Sequence, residues 1–335
     1  INLAHSAVEK LLIVYFLYRG WKLVGVVSGW LVALAITSVA GMVLTKQSIG
    51  IFQKPHPIRP LFTFSLPLYL SNILAFVTNW VDQLFILRYA GYDALGVYNW
   101  MLRAAAIPGL FSASVVVALF PQLSELYVKR GVKGLEQAFR TSTRYVVLVS
   151  FPMIIGLVVL AHPTLPLFGL EFAQAAWPLV IIGLAMLPAS MGVAIGPTLM
   201  TLERTGAASA ITIASIFSSI VASYITLAHF NLGMCGAAWA RALASLISFG
   251  LGAYALRKIL NIEFDGEALW KALVSSIVMG FGVMLSRVFL EALVPYAYLF
   301  PIYMVIGAVA YFFSIAALRA IKKHDVELLN EYLPK

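Results

Sequence analysis

The sequence predicts an all-α polytopic membrane protein of about ten transmembrane helices, and three observations predict it. Of 335 residues, 61% are hydrophobic and 11% charged, with a mean hydropathy of +0.93. That composition excludes a soluble globular domain of this size. The apolar residues gather into ten runs, roughly 3–18, 23–45, 61–87, 94–121, 144–165, 174–200, 208–228, 233–256, 270–292 and 298–320, and as helices most can cross a hydrocarbon core of about 30 Å. The connecting segments alternate in charge. Those at 46–60, 122–143, 201–207 and 257–271, with the two chain ends, hold or adjoin 17 of the 23 lysines and arginines. The opposite segments, near 19–22, 88–93, 166–173, 229–232 and 293–297, hold only Arg19, Lys22 and Arg88. Cytoplasmic loops carry the basic excess, so both chain ends are expected in the cytoplasm. The net charge of +9 therefore reads as membrane topology and not as affinity for nucleic acid. The single cysteine, Cys235, leaves no disulfide framework and no cysteine metal cluster.

Spans 1 and 2 are joined by Gly20-Trp21-Lys22, and Gly25 opens the second. No cleavable signal peptide is visible: Ile1 to His5 contain no basic n-region and no initiator Met. His5 and Glu9 stand four apart on span 1. Span 3 follows the basic, proline-marked lead-in Lys54-Pro55-His56-Pro57-Ile58-Arg59-Pro60. It is not a plain apolar anchor, because Asn72, Asn79 and Gln83 share one helical face and Asp82 lies one residue off that stripe. Such a stripe is costly against lipid and should face protein or a water-filled cavity. Span 4 carries Asn99 and, one turn later, Arg103. Pro67, Pro108, Pro152, Pro178, Pro188 and Pro197 interrupt the apolar runs, and proline inside a membrane helix kinks it and frees a backbone carbonyl.

Spans 7 and 8 repeat spans 1 and 2. Gly20-Trp21-Lys22-Leu23-Val24-Gly25 matches Asn231-Leu232-Gly233-Met234-Cys235-Gly236 at an offset of 211 residues. Spans 3–8 then form one six-helix unit, and spans 1–2 are the last two helices of a preceding one whose first four are expected upstream. The expected organisation is 1–48, last two helices of the first bundle; 49–60, cytoplasmic linker; 61–258, six-helix bundle; 259–321, two peripheral helices; 322–335, cytoplasmic tail. Repeated membrane halves around a central site are the usual build of secondary transporters.

The stretch RPLFTFSLPLYLSNILAFVTNWVDQLFIL, the Ala94-Leu95-Gly96-Val97-Tyr98 segment, Phe120-Pro121-Gln122-Leu123-Ser124-Glu125-Leu126-Tyr127, Gly233-Met234-Cys235-Gly236-Ala237-Ala238-Trp239-Ala240 and the tail from Lys322 to Leu329 together resemble the Wzx-type polysaccharide-export flippases of the multidrug/oligosaccharidyl-lipid/polysaccharide (MATE-like) superfamily. The resemblance runs over nearly the whole chain. It implies two six-helix bundles around a central cavity, two peripheral helices, and alternating-access movement of a polyprenyl-pyrophosphate-linked glycan across the cytoplasmic membrane. The partners so implied are a lipid-linked glycan, membrane lipids and a coupling ion, H⁺ or Na⁺, with no cofactor.

Arg103, Arg241 and Arg287 fall inside spans. Arg103 and Arg241 read as cationic walls for pyrophosphate or acidic sugar, which a guanidinium can bind bidentately. The alternatives are an ion pair between Arg103 and Asp82, and helix packing for Arg241 among Ala237, Ala238, Ala240 and Ala242. Asn72, Asn79, Gln83 and Asn99 are candidates for glycan hydroxyls or for interhelical hydrogen bonds. Asp82 is the candidate for ion coupling, with a solvated or paired carboxylate as the alternative. Arg287 and Glu291 read as an intrahelical pair. Trp80, Tyr89, Tyr92, Tyr98 and Trp100 read as an interfacial aromatic belt, and the 129–144 segment as a solvated cytoplasmic face. No HExxH, phosphate-binding glycine loop or Ser/His/Asp arrangement occurs. Two rivals are weighed. A drug or cation antiporter should have more acids in its cavity. A membrane glycosyltransferase or polymerase needs a larger outer loop than any here.

Overall fold

The computed structural model describes residues 2–48, 69, 73, 76, 77, 80–202, 204–260, 264–290 and 296–319. Their regular structure is helical, and no strand occurs among them. Eight helices among the described residues are long and apolar enough to cross a membrane. Large apolar side chains such as Leu11, Val117, Phe217, Phe281 and Phe313 cover the outside of the molecule. In water such a surface would aggregate; in a bilayer it faces lipid of the same polarity. The chain is a multi-pass membrane protein. Its contacts divide it into two compact units, Ile1–Leu66 and Pro67–Lys335.

The first unit holds α1 (Asn2–Tyr18) and α2 (Lys22–Ser48) as a hairpin. A Cβ added at Gly25 would lie 2.9 Å from Phe16 Cβ, and one at Gly29 would lie 2.9 Å from Ile13. Hydrogen at these two positions lets the helices touch. His5 Nδ1 meets Thr37 Oγ1 at 3.1 Å across the hairpin, while its Nε2 stands 3.8 Å from Glu9.

The second unit begins, in its described part, with α3 (residues 80–89) and α4 (Gly91–Thr164). Two 3₁₀ turns, Leu165–Phe168 and Leu170–Ala175, lead to α5 (Ala176–Met191) and α6 (Ile195–Thr201). Then come α7 (Thr205–Ser223), a π turn (Tyr224–His229), α8 (Gly233–Leu260), α9 (Gly266–Leu290) and α10 (Tyr296–Ala317).

The hairpin α7–α8 repeats the turn of α1–α2. Gly20 and Lys22 have φ of 82° and 45°; their partners at the 211 offset, Asn231 and Gly233, have 51° and 53°. Trp21 N–H donates to Phe16 O at 3.1 Å, and Leu232 N–H to Thr226 O at 3.0 Å. The second closure is one residue longer, and the π turn absorbs that residue. A Cβ on Gly236 would lie 3.1 Å from Thr226, so this hairpin too closes over a glycine.

Two boundaries differ from the sequence expectation. The 122–143 segment is not a loop between spans: it is helical, and α4 is broken only at Gly131, where φ 61° and ψ −146° are open to glycine alone at low cost. Beyond the break Leu135, Ala138 and Phe139 are buried while Lys133 and Arg140 are exposed. One helical face therefore packs and the other carries the charges. The run 174–200 is two helices, because Pro188 and Pro197 remove two donors and the chain turns at Gly192 between them.

Prolines also explain how the last hairpin is fastened. Pro152 leaves Leu148 O without its helical donor, and Tyr311 Oη of α10 donates to that oxygen at 2.6 Å. Pro163 likewise frees Val159 O, and Arg287 Nη1 of α9 donates there at 3.4 Å. In hydrocarbon a bare carbonyl costs several kcal/mol, on the order of a lost hydrogen bond or more. Arg287 is thus an interhelical anchor; Glu291, its expected intrahelical partner, lies outside the described residues.

Candidate functional site

The second unit holds a half-open cavity of about 680 Å³ between α3, α4, α5, α6, α7 and α8. Small residues make the space: Ala105 and Ala106 on α4, Ala185 and Ala189 on α5, Gly192 and Gly196 around the break. The hydroxyls of Thr212, Ser215, Ser219, Ser245 and Ser248 line one side. Arg241 is the one charged residue lining it among the described residues.

Arg241 stands on α8 two turns from its start, and Asp82 stands on α3. Arg241 Nε donates to Asp82 Oδ2 at 2.7 Å and Nη2 to Oδ1 at 3.1 Å, a bidentate fork-on-carboxylate pair. Tyr98 Oη of α4 donates to Asp82 Oδ2 at 2.6 Å. Gln83 N–H also approaches Oδ1, at 3.1 Å. The Asp82 side chain is 2% exposed and the Arg241 side chain 31%. The carboxylate is therefore sealed among its donors while the guanidinium keeps an edge toward the cavity. Arginine has five N–H donors and two bonds to Asp82, so hydrogens remain on that edge. Ala237, Ala238 and Ala240, fully buried, let α8 come close enough for the pair to form.

A profile of the family described as polysaccharide biosynthesis protein matches residues 1–177, just over half the chain. The chain belongs to that family. The chain is 29% identical over 209 residues, 60% of its own length and 44% of the relative's, to the protein named probable low-salt glycan biosynthesis flippase Agl15 of Haloferax volcanii. It is 35% identical over 129 residues, 38% of its length and 25% of the relative's, to succinoglycan biosynthesis transport protein ExoT of Rhizobium meliloti. Among solved structures, lipid II flippase MurJ in an inward closed conformation shares its fold. The TM-score is 0.76 at 17% identity, over 93% of this chain and 66% of that one. The chain spans less than half the length of the curated relatives it matches.

Of the residues singled out in the sequence, the structure brings Asp82, Gln83 and Arg241 together, with Gln83 and Arg241 on the cavity wall and Asp82 buried behind them. It does not bring Arg103 there. Arg103 is exposed on an outer stripe of α4 with Ile107, Leu110, Ser114 and Val117, and Asn99 is half-buried one turn away. Neither lines the cavity. The ion pair considered between Arg103 and Asp82 is not formed, because Arg241 and Tyr98 occupy both carboxylate oxygens. Asn72 and Asn79 lie outside the described residues. Tyr98 is fully buried and does not belong to an aromatic belt; Trp100 packs on Phe168 with ring centroids 4.2 Å apart. Tyr89 and Tyr92 remain exposed.

Sequence reading missed Tyr98 and the hydroxyls of α7 and α8. For Tyr98 a signal existed: it lies 16 residues after Asp82 across a tight helical hairpin. The hydroxyls gave only the spacings 212, 215, 219 and 245, 248, which any packed membrane helix can show.

Proposed function

We propose that this chain is the membrane body of a flippase that carries a polyprenyl-pyrophosphate-linked oligosaccharide across the cytoplasmic membrane by alternating access. It acts as a transporter and not as an enzyme, and both of its ends lie in the cytoplasm. Family membership, the names of its glycan-export relatives and the flippase-like fold support this reading. The observation that carries it is Arg241. Among the described residues the one charge on the cavity wall is a guanidinium with N–H donors left over from its ion pair, and its counter-ion sits behind it, off the wall itself. That arrangement suits an anionic cargo such as a pyrophosphate. A cation antiporter needs the reverse, a carboxylate facing the cavity.

Asp82 holds Arg241 in place while the cavity is empty, and an anion entering the cavity competes with it for the same guanidinium. A coupling cation, H⁺ or Na⁺, would act at Asp82, since neutralising the carboxylate releases both of its hydrogen bonds to Arg241. Arg103 supplies a second cationic position outside this cavity, with Asn99 beside it. The bundle at 61–258 is the transport unit in this reading, residues 1–48 belong to a preceding bundle, and α9–α10 form a peripheral hairpin.

The test is movement of a fluorescent polyprenyl-pyrophosphate glycan across liposome membranes. Three proteins are compared: the chain alone, the chain fused to the four N-terminal helices the repeat implies, and that fusion with Arg241→Ala. Movement by the fusion that falls at least tenfold in the variant supports the reading. Equal movement by both would remove Arg241 from the cargo site.

A further inference from the structure

The hairpin α7–α8 has a fixed register along the cavity. Thr226 Oγ1 donates to Gly236 O at 2.9 Å near the turn, and Ser215 Oγ to Ala244 O at 3.1 Å deeper in. With that register the two antiparallel helices pair Ser219 with Arg241, Ser215 with Ser245, and Thr212 with Ser248. All six side chains line the cavity. They form three rungs, one helical turn apart, with the cation at one end and the Thr212–Ser248 rung about 10 Å away.

Three of the five hydroxyls on this ladder are polarised by their own bonds. Thr212 Oγ1 donates to Ala208 O at 3.1 Å, Ser215 to Ala244 O, and Ser245 Oγ to Ala185 O at 3.4 Å. A hydroxyl has one hydrogen, so these three oxygens can only accept from a ligand. Arg241 can only donate. The wall is therefore a donor pole followed by an acceptor stripe.

We infer that the α7–α8 wall is a sugar-phosphate face: a phosphoryl group sits at Arg241 and the attached sugar runs toward the Thr212–Ser248 rung. The sugar's hydroxyls and any acetamido N–H donate to Thr212, Ser215 and Ser245. The match is in sign and in length. An anion carries acceptors only, a sugar is rich in donors, and one to two rings span about 10 Å in the run of three rungs. This inference rests on the flippase reading and adds which end of the cargo lies where and which residues select it.

Two probes separate it from that reading: farnesyl pyrophosphate, and farnesyl pyrophosphate carrying one N-acetylglucosamine. Binding of each is measured on the full chain in lipid nanodiscs. The parent is expected to prefer the glycosylated probe by roughly tenfold, as one or two well-made hydrogen bonds provide. The triple variant Thr212→Val, Ser215→Ala, Ser245→Ala should bind the sugar-free probe as the parent does and lose the preference. The variant Thr212→Ser, Ser215→Thr, Ser245→Thr keeps the oxygens and should keep it. Arg241→Ala should weaken both probes alike. A preference that survives the triple variant, or is absent from the parent, overturns the sugar face. Unchanged binding of both probes to Arg241→Ala overturns the cargo site itself.

Discussion

Arg241 Nε lies 2.7 Å from Asp82 Oδ2, although 159 residues separate the two in the chain. The pair joins the first described helix of the second unit to the helix that closes its cavity, and Tyr98 joins α4 to the same carboxylate. Three helices thus converge on one acid. Removing Asp82 leaves a guanidinium in a site built for its counter-ion.

Asp82→Ala is accordingly expected to be worse than the double variant Asp82→Ala/Arg241→Ala. Breaking a buried pair one-sidedly costs 3–5 kcal/mol, and the partial exposure of Arg241 reduces that to about 2 kcal/mol here. Thermal unfolding in detergent should rank the midpoints parent, double variant, Asp82→Ala. A double variant below the single would show that the pair is not an isolated unit.

Tyr311→Phe removes the donor that covers Leu148 O. The expected loss is about 0.6–1.5 kcal/mol, the range for hydrogen bonds between membrane helices and in soluble proteins. Pro152→Ala restores an intrahelical N–H for that carbonyl, so Tyr311→Phe should cost little in its background. A full loss there would mean that Tyr311 acts through packing alone.

Glycines on α8 are expected to respond in opposite directions. A Cβ at Gly236 would stand 3.1 Å from Thr226 and from Leu232, whereas nothing lies within 4 Å of one at Gly250. Gly236→Val should destabilise by about 1–3 kcal/mol through overpacking. Gly250→Ala should stabilise by about 0.5–1 kcal/mol, since alanine has less backbone freedom to lose in a helix. Chemical unfolding of the two variants in one detergent checks both signs.

Orientation can be read from one cysteine at a time, because Cys235 is the only native one. In a Cys235→Ser background, Lys129→Cys should react with an impermeant maleimide only from the cytoplasmic face. Glu171→Cys, exposed in the turn before α5, should react only from the opposite face. The reverse pattern would invert the proposed topology.

Membrane class and the repeat were legible in the chain because both rest on local chemistry. Apolar runs of bilayer length have one cheap solution, the helix, and a short turn with two positive-φ residues recurs at the 211-residue offset in both hairpins. The importance of Asp82 and Arg241 as intramembrane charges was legible too, since such charges must find protein or water. Which charge meets which was not. Arg103 and Arg241 are chemically alike, and only the packing of α3 against α8 over the buried alanines delivers Arg241 to the carboxylate and leaves Arg103 outside. The prolines show the same division. Sequence alone determines that Pro152 and Pro163 free two carbonyls; tertiary structure decides that Tyr311 and Arg287 cover them. Hydrogen-bond demand is a property of the residue, and its satisfaction depends on which helices the fold brings within 3 Å or so.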